Sequence, residues 1–94
     1  MDLFERIVHY AAMGVEKYKE TERVLKSLAN RRRLAIVAYL QKRKDASVTA
    51  IAEELKLSLK ATSKHLALLA GAGILEKEQR STNVFFSISK HIPQ

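Results

Sequence analysis

Ser58, Lys60, Thr62, Ser63, Lys64 and His65 stand close together in the stretch LKLSLKATSKHLALLAGAGIL, residues 55–75. They are the densest group of polar donors in the chain. Hydroxyls and ammonium groups suit phosphate oxygens, and a lysine can also donate to guanine O6 or N7. The second half of the stretch is nearly all Leu, Ala and Gly, so a buried end follows a polar, basic start. Bond-making chemistry has no comparable signature. Paired carboxylates, a Ser/His arrangement and a Gly-rich phosphate loop are all missing. There is no Cys, which rules out disulfides, thiolate metal sites and a thiol nucleophile. No enzyme activity and no cofactor are expected. His9 and His91 without a third ligand make a poor metal site, so no response to zinc or arsenite is expected.

The polar group needs a helix to hold it. Ser58 is a good N-cap, and the helix it opens runs to about Ala72, with Gly73 as a left-handed stop. Leu66 and Leu69 form its inner stripe, with Thr62 and His65 on or beside it. Leu59, Lys60, Ser63 and Lys64 face outward. Before it, Thr49 caps a short helix over 50–56, with Ile51, Ala52 and Leu55 inward. A turn of about three residues separates the two. Further upstream, 31–44 reads as a helix with Leu34, Val37, Ala38 and Leu40 as its stripe. Arg31, Arg32 and Arg33 open it against the macrodipole, which suggests service to a phosphate or an acidic partner. Residues 2–19 read as a helix whose broad apolar face holds Phe4, Ile7, Val8, Ala11, Ala12, Val15 and Tyr18. Thr21 caps another, with Val24, Leu25 and Leu28 inward.

After Gly73 the hydrophobic period shortens. ILEKE and VFFSIS are two strands, the second with Val84, Phe86 and Ile88 on one face. The polar turn QRSTN between them puts Arg80 at a hairpin tip, within reach of a phosphate or the minor groove. QKRKDAS, residues 41–47, reads as a charged connection.

The 94 residues allow one small domain, and hydrophobic residues make up 47%, enough for a thin core that favours oligomerisation. Net charge is +7. Residues 1–30 hold five basic and five acidic side chains, while residues 31–94 hold twelve and five. The one-sided excess points to a polyanionic partner. No apolar run is long enough to span a membrane, and MDLFERIVHY lacks the features of a signal peptide. A cytoplasmic protein is expected.

Helix, short turn, polar-starting helix and hairpin together describe a winged helix-turn-helix. "LANRRRLAIVAYL" resembles the opening of the ArsR-type regulators, L-A-D-P-x-R-x-x-I-L. "SVTAIAEELKLSLKATSKHLALLAGAGIL" is similar to their helix-turn-helix stretch, with Ser58, Ser63, Leu66, Leu69, Ala72 and Gly73 at matching spacing. "VFFSIS" is similar to the end of their wing. The resemblance covers residues 28–89. It implies a dimeric transcriptional repressor that binds operator DNA, in a family many of whose members respond to metals, with the first helix as dimer surface and a structural role for Arg33. Lys56 stands where the family has a turn Gly, Arg31 where it has Pro, and Thr62 where it has an aliphatic residue. Glu76 and Glu78 put negative charge beside the wing.

The expected fold is mainly α: a single winged helix-turn-helix domain over 1–94, with about five helices, a two-stranded hairpin wing and a dimerisation helix over 1–20. The expected function is sequence-specific binding of double-stranded DNA by a homodimer, as a transcriptional regulator and repressor. Ser58, Leu59, Lys60, Ser63, Lys64, Arg80, Arg31 and Arg32 are the expected DNA contacts. Phe4, Ile7, Val8, Ala11, Val15 and Tyr18 are the expected dimer contacts. The alternative is a winged-helix protein-interaction module of a larger assembly.

Overall fold

The computed structural model describes residues 2–11 and 14–90. In chain order they form α1 (Leu3–Ala11), a 3-10 turn (Val15–Tyr18), α2 (Lys19–Leu28), α3 (Arg31–Gln41), β1 (Ala46–Ser47), α4 (Val48–Leu55), α5 (Leu59–Gly71), β2 (Leu75–Arg80) and β3 (Asn83–Ile88). The three strands make one antiparallel sheet in the order β1-β3-β2.

The core lies where α3, α4, α5 and the sheet meet. Ile36, Leu40, Ile51, Leu66 and Leu69 are fully buried, and Ile74, Leu75 and Phe86 close the cluster. Each such aliphatic side chain contributes roughly 1.5–3 kcal/mol through burial. The apolar residues of α1 contribute no such term within the chain. Leu3, Phe4, Ile7 and Val8 are all more than half exposed. Among the described residues, the substantial packing partner of α1 is the 3-10 turn and not the core.

Helix ends follow local chemistry. The side chain of Asn30 accepts from the Arg32 and Arg33 amides at 2.9 and 3.1 Å, capping α3. Ser58 Oγ accepts from the Ala61 amide at 3.0 Å and caps α5. At the far end of α5, the Gly73 amide donates to Ala70 O and the Ile74 amide to Leu69 O, both at 3.0 Å. Gly73 has φ +79°, the left-handed residue of this motif. The end of α4 repeats the pattern, with Leu57 N–H to Ala52 O and Lys56 at φ 56°. A lysine thus fills the left-handed position in the turn between the two helices.

Several elements differ from the sequence expectation. The helix expected over 2–19 is interrupted. Gly14 takes φ +91°, which an α-helix cannot continue through, and the chain resumes as a 3-10 turn. Ala12 lies outside the described residues. Thr21 does not cap α2: the helix begins at Lys19 without a side-chain cap. Leu25 is 62% exposed, not inward. The stripe of α3 is rotated. Ile36 and Leu40 are fully buried and Val37 is half-buried, whereas Leu34 and Ala38 are exposed. Arg33 belongs to the same inward face, one turn before Ile36 and Val37, and counting it as polar shifted the expected phase. The helix also stops at Gln41 and not at 44. Arg43 turns back, donating to Tyr39 O at 2.7 Å and stacking on the Tyr39 ring.

The cap of α4 is Ser47, whose Oγ accepts from the Ala50 amide at 3.1 Å; Thr49 lies inside the helix. The end of the charged connection forms a third strand, so the sheet has three strands and not two. Ala46 pairs with Phe86 and Ser47 with Phe85. Two residues have no period to detect; only the free edge of β3 makes them a strand. The hairpin turn is shorter than QRSTN. Gln79 pairs with Val84 and Arg80 with Asn83, leaving Ser81 and Thr82 as the turn, with Ser81 at φ 58°.

Candidate nucleic-acid interface

Helix α5 buries one face along its length, but its end is not wholly buried as expected: Leu68 is 55% exposed, and Ala67 and Gly71 are exposed beside it. Thr62, Leu66 and Leu69 are fully buried on one side. Leu59, Lys60, Ser63 and Lys64 are exposed on the other. The buried Thr62 is not left unsatisfied, since its Oγ1 donates to Ser58 O at 2.8 Å. That bond and the Ser58 cap fix the first turn from both ends of the same residue. The result is a rigid, outward-facing set of a hydroxyl, two ammonium groups and one apolar side chain, presented by a 13-residue helix. Such a set can bond phosphate oxygens and base edges.

Arg31 and Arg32 open α3 and are both exposed. Arg33 is half-buried and has a different task. Its Nε donates to Ser27 O at 2.5 Å and its Nη2 to Lys26 O at 3.4 Å, at the end of α2. Its Nη1 lies 3.3 Å from His65 Nδ1 on α5. Desolvation is the larger cause holding the His65 imidazole below its ordinary pKa, and the positive charges of Arg33 and Arg32 add to it.

Arg80 closes the wing hairpin, pairing with Asn83 beside the two-residue turn. Its Nη2 is 2.6 Å from Asp45 Oδ2 and its Nε is 3.0 Å from Glu78 Oε1. The guanidinium also stacks over Phe85 at 4.5 Å. Hydrogen bonds from Arg80 hold the Glu78 carboxyl below the usual carboxylate range, and Glu78 and Asp45 in turn raise the Arg80 pKa. The expected wing cation is therefore already paired with two carboxylates. Asp45 escaped the sequence reading because it is 35 residues from Arg80 and next to a strand that had no signal.

Of the residues expected at a dimer surface, Ile7, Ala11 and Tyr18 line one groove. Phe4, Ile7, Val8, Ala11 and Val15 are exposed, and Tyr18 is half-buried. Between α1 and α2 runs an apolar groove of about 400 Å³, lined by Ile7, Ala11, Tyr18, Thr21 and Leu25 among others. Leu25 belongs with this face, which its outward position on α2 now shows. Among the described residues, no group of three or more His, Asp or Glu side chains is placed to hold a metal. His91 lies outside the described residues. Among the described residues, no helix is long and apolar enough to cross a membrane.

A family model described as a helix-turn-helix domain matches residues 28–78. The chain is 36% identical over 66 residues to the transcriptional activator HlyU of Vibrio cholerae. That match covers 70% of this chain, and the chain spans 60% of the relative's length. The solved structure of HlyU from Vibrio cholerae is similar with a TM-score of 0.74 and 31% identity, over 82% of this chain and 83% of that one. A solution structure from Mycobacterium bovis has a TM-score of 0.75 at 31% identity, over 79% of this chain and 68% of that one. It is a homodimeric winged helix-turn-helix DNA-binding domain, described as a possible ArsR-family transcriptional regulator. The transcriptional repressor PagR of Bacillus anthracis has a TM-score of 0.70 at 31% identity, over 80% of this chain and 85% of that one.

Proposed function

The chain belongs to the ArsR-type winged helix-turn-helix transcription regulators, and on that premise we propose that it binds double-stranded DNA sequence-specifically as a homodimer and represses transcription by occupying its site. One observation carries the reading: the face of α5 that holds Leu59, Lys60, Ser63 and Lys64 is exposed, while the opposite face is fully buried. Two lysines and a serine gathered on the exposed face of the first two turns of a capped helix fit a helix that enters the major groove.

The roles divide by reach. Lys60 and Lys64 donate to guanine edges, Ser63 bonds a base or phosphate, and Leu59 touches a thymine methyl. Ser58 holds the helix start and brings its free N–H groups toward phosphate. Arg31 and Arg32 anchor the backbone. Arg80 joins them only by exchanging its carboxylates for a phosphate. The α1 face with Phe4, Ile7, Val8, Ala11, Val15 and Tyr18 meets its counterpart in a second copy, and the bovine-mycobacterium relative is itself homodimeric. Two copies would place two α5 helices for two half-sites. Residues 1–94 are read as one winged helix-turn-helix domain, with 1–20 as its dimer segment.

The test is selection of duplexes from a randomised pool on immobilised protein, followed by titration of the selected duplex against random duplex. Enrichment of a two-fold symmetric sequence is the expected result. Recovery of no preferred sequence would overturn the proposal in favour of a protein-interaction module.

A further inference from the structure

We infer that Arg33 and His65 act as a positioning pair for base reading, setting how α5 presents Lys60, Ser63 and Lys64 to DNA. The inference rests on the DNA-binding reading above and adds two residues that make no contact with DNA.

The last carbonyls of a helix lack partners inside it. Arg33 supplies donors to two of them, Ser27 O at 2.5 Å and Lys26 O at 3.4 Å. The guanidinium is planar, so two bonds fix its orientation and aim the remaining nitrogen. That nitrogen, Nη1, meets His65 Nδ1 at 3.3 Å. One side chain thereby links α2, α3 and α5.

His65 directly follows Lys64 on α5. It borders the inner face of the helix, where Leu66 and Leu69 are fully buried in the core. Apolar packing is non-directional, whereas a hydrogen bond has a preferred line. The Arg33–His65 bond therefore adds a directional restraint on the rotation of α5 about its axis to the close packing of Thr62, Leu66 and Leu69. A small rotation moves a lysine head by more than the tolerance of a bidentate base contact.

The bond also needs a particular protonation state. Arginine is donor-only, so Nδ1 of His65 must carry a lone pair, and the proton must sit on Nε2. An imidazolium has no lone pair to offer. The groups acting on the His65 charge are Arg33 and Arg32 from α3, both cationic. Lys64 neighbours it on its own helix, and Lys26 and Arg23 line the adjoining groove between α2 and α5. The carboxylates on the elements packed on α5 are Glu20 and Glu22 of α2, Glu53 and Glu54 of α4, and Glu76 and Glu78 of β2, and the charges that shift His65 are the two arginines rather than any of these. Protonation thus places a third cation against two and breaks the tie. Base reading then weakens on acidification, even as net positive charge strengthens indiscriminate DNA binding.

The experiment uses the full chain and two duplexes, one selected from a randomised pool and one random. The readout is the ratio of their affinities from about pH 8 to about pH 5.5. In the unmodified protein the ratio should fall with pH. Arg33→Lys and His65→Leu should lower it at pH 8 by about tenfold, the size of one base contact, with random-duplex affinity unchanged. His65→Asn, whose Oδ1 stands where Nδ1 does and accepts from Arg33 without titrating, should keep the ratio and flatten the pH profile. Circular dichroism checks that each variant is folded, and His65→Asn keeps the test decisive if His65→Leu is not. A pH profile of His65→Asn that matches the unmodified protein overturns the inference. So does an equal loss on both duplexes, or an unchanged ratio in Arg33→Lys and His65→Leu while Lys60→Ala or Lys64→Ala lowers it. If the lysine changes also alter nothing, the DNA-binding reading itself has failed, and the inference with it.

Discussion

Arg80 Nη2 stands 2.6 Å from Asp45 Oδ2, a bond that ties the outer strand of the wing to the segment leading into β1. The bond spends the charge that a wing arginine would otherwise bring to DNA. Glu78 adds a second carboxylate and Phe85 a stacking surface. Arg80→Ala should therefore lower the salt slope of DNA binding by clearly less than the roughly one unit carried by a free phosphate-binding arginine. Asp45→Asn should strengthen binding to selected and random duplex alike and steepen the slope. Anisotropy titrations at several salt concentrations measure both. A full unit lost in Arg80→Ala would show that DNA displaces the carboxylates.

The lysines of α5 should behave differently from the wing. Lys60→Ala or Lys64→Ala should reduce the preference for the selected duplex over random duplex by about 1–3 kcal/mol if the lysine meets a base. Competition titrations with the two duplexes give the ratio directly. Equal weakening on both would assign these lysines to phosphate instead.

The α1 face predicts an oligomer. Ile7 and Val8 are 56% and 52% exposed in the single chain, beside an apolar groove of about 400 Å³. Ile7→Glu would place a charge in the contact and should yield monomers with reduced stability. Sedimentation should show a dimer for the unmodified protein at micromolar concentration. A folded monomer there would refute the assignment of this face.

Lys56 holds a left-handed conformation, φ 56° and ψ 44°, at the end of α4. A residue with a Cβ is strained there by roughly 1–2 kcal/mol, offset in part because glycine loses more entropy on folding. Lys56→Gly should raise stability by about 0.5–1 kcal/mol, read from denaturant unfolding. Destabilisation by this change would mean that the lysine side chain contributes more than its backbone costs.

Stability should also depend on pH through His65. Its folded-state pKa lies below the ordinary value of 6.5, because of desolvation first and then Arg33 and Arg32. On acidification the unfolded chain takes up the proton first. Stability is then lost as pH falls through 6.5 toward the lower folded value, and nothing is lost above that window. The difference in thermal midpoint between the unmodified protein and His65→Gln, followed against pH, isolates this contribution. A difference that does not change with pH would count against it.

Much of the fold was legible along the chain because its signals are local. The Ser58 cap, the Gly73 stop, the alternation in VFFSIS and the two-faced pattern of residues 59–71 each act within a few residues. Local hydrogen bonds and side-chain period express them without reference to the rest of the protein. Contacts between distant residues have no such trace. No spacing rule links Asp45 to Arg80 or Arg33 to His65, 35 and 32 residues apart. The strand at Ala46–Ser47 exists because β3 has an edge to pair, and Ser47 starts α4 because that strand ends there. The phase of α3 depended on where a long arginine could bury its stem and still find two carbonyls. Which elements form was therefore written mostly in sequence-local chemistry. Which charges remain free to meet a partner was settled by packing, because an ion pair or a buried face needs two surfaces that only the folded chain brings together.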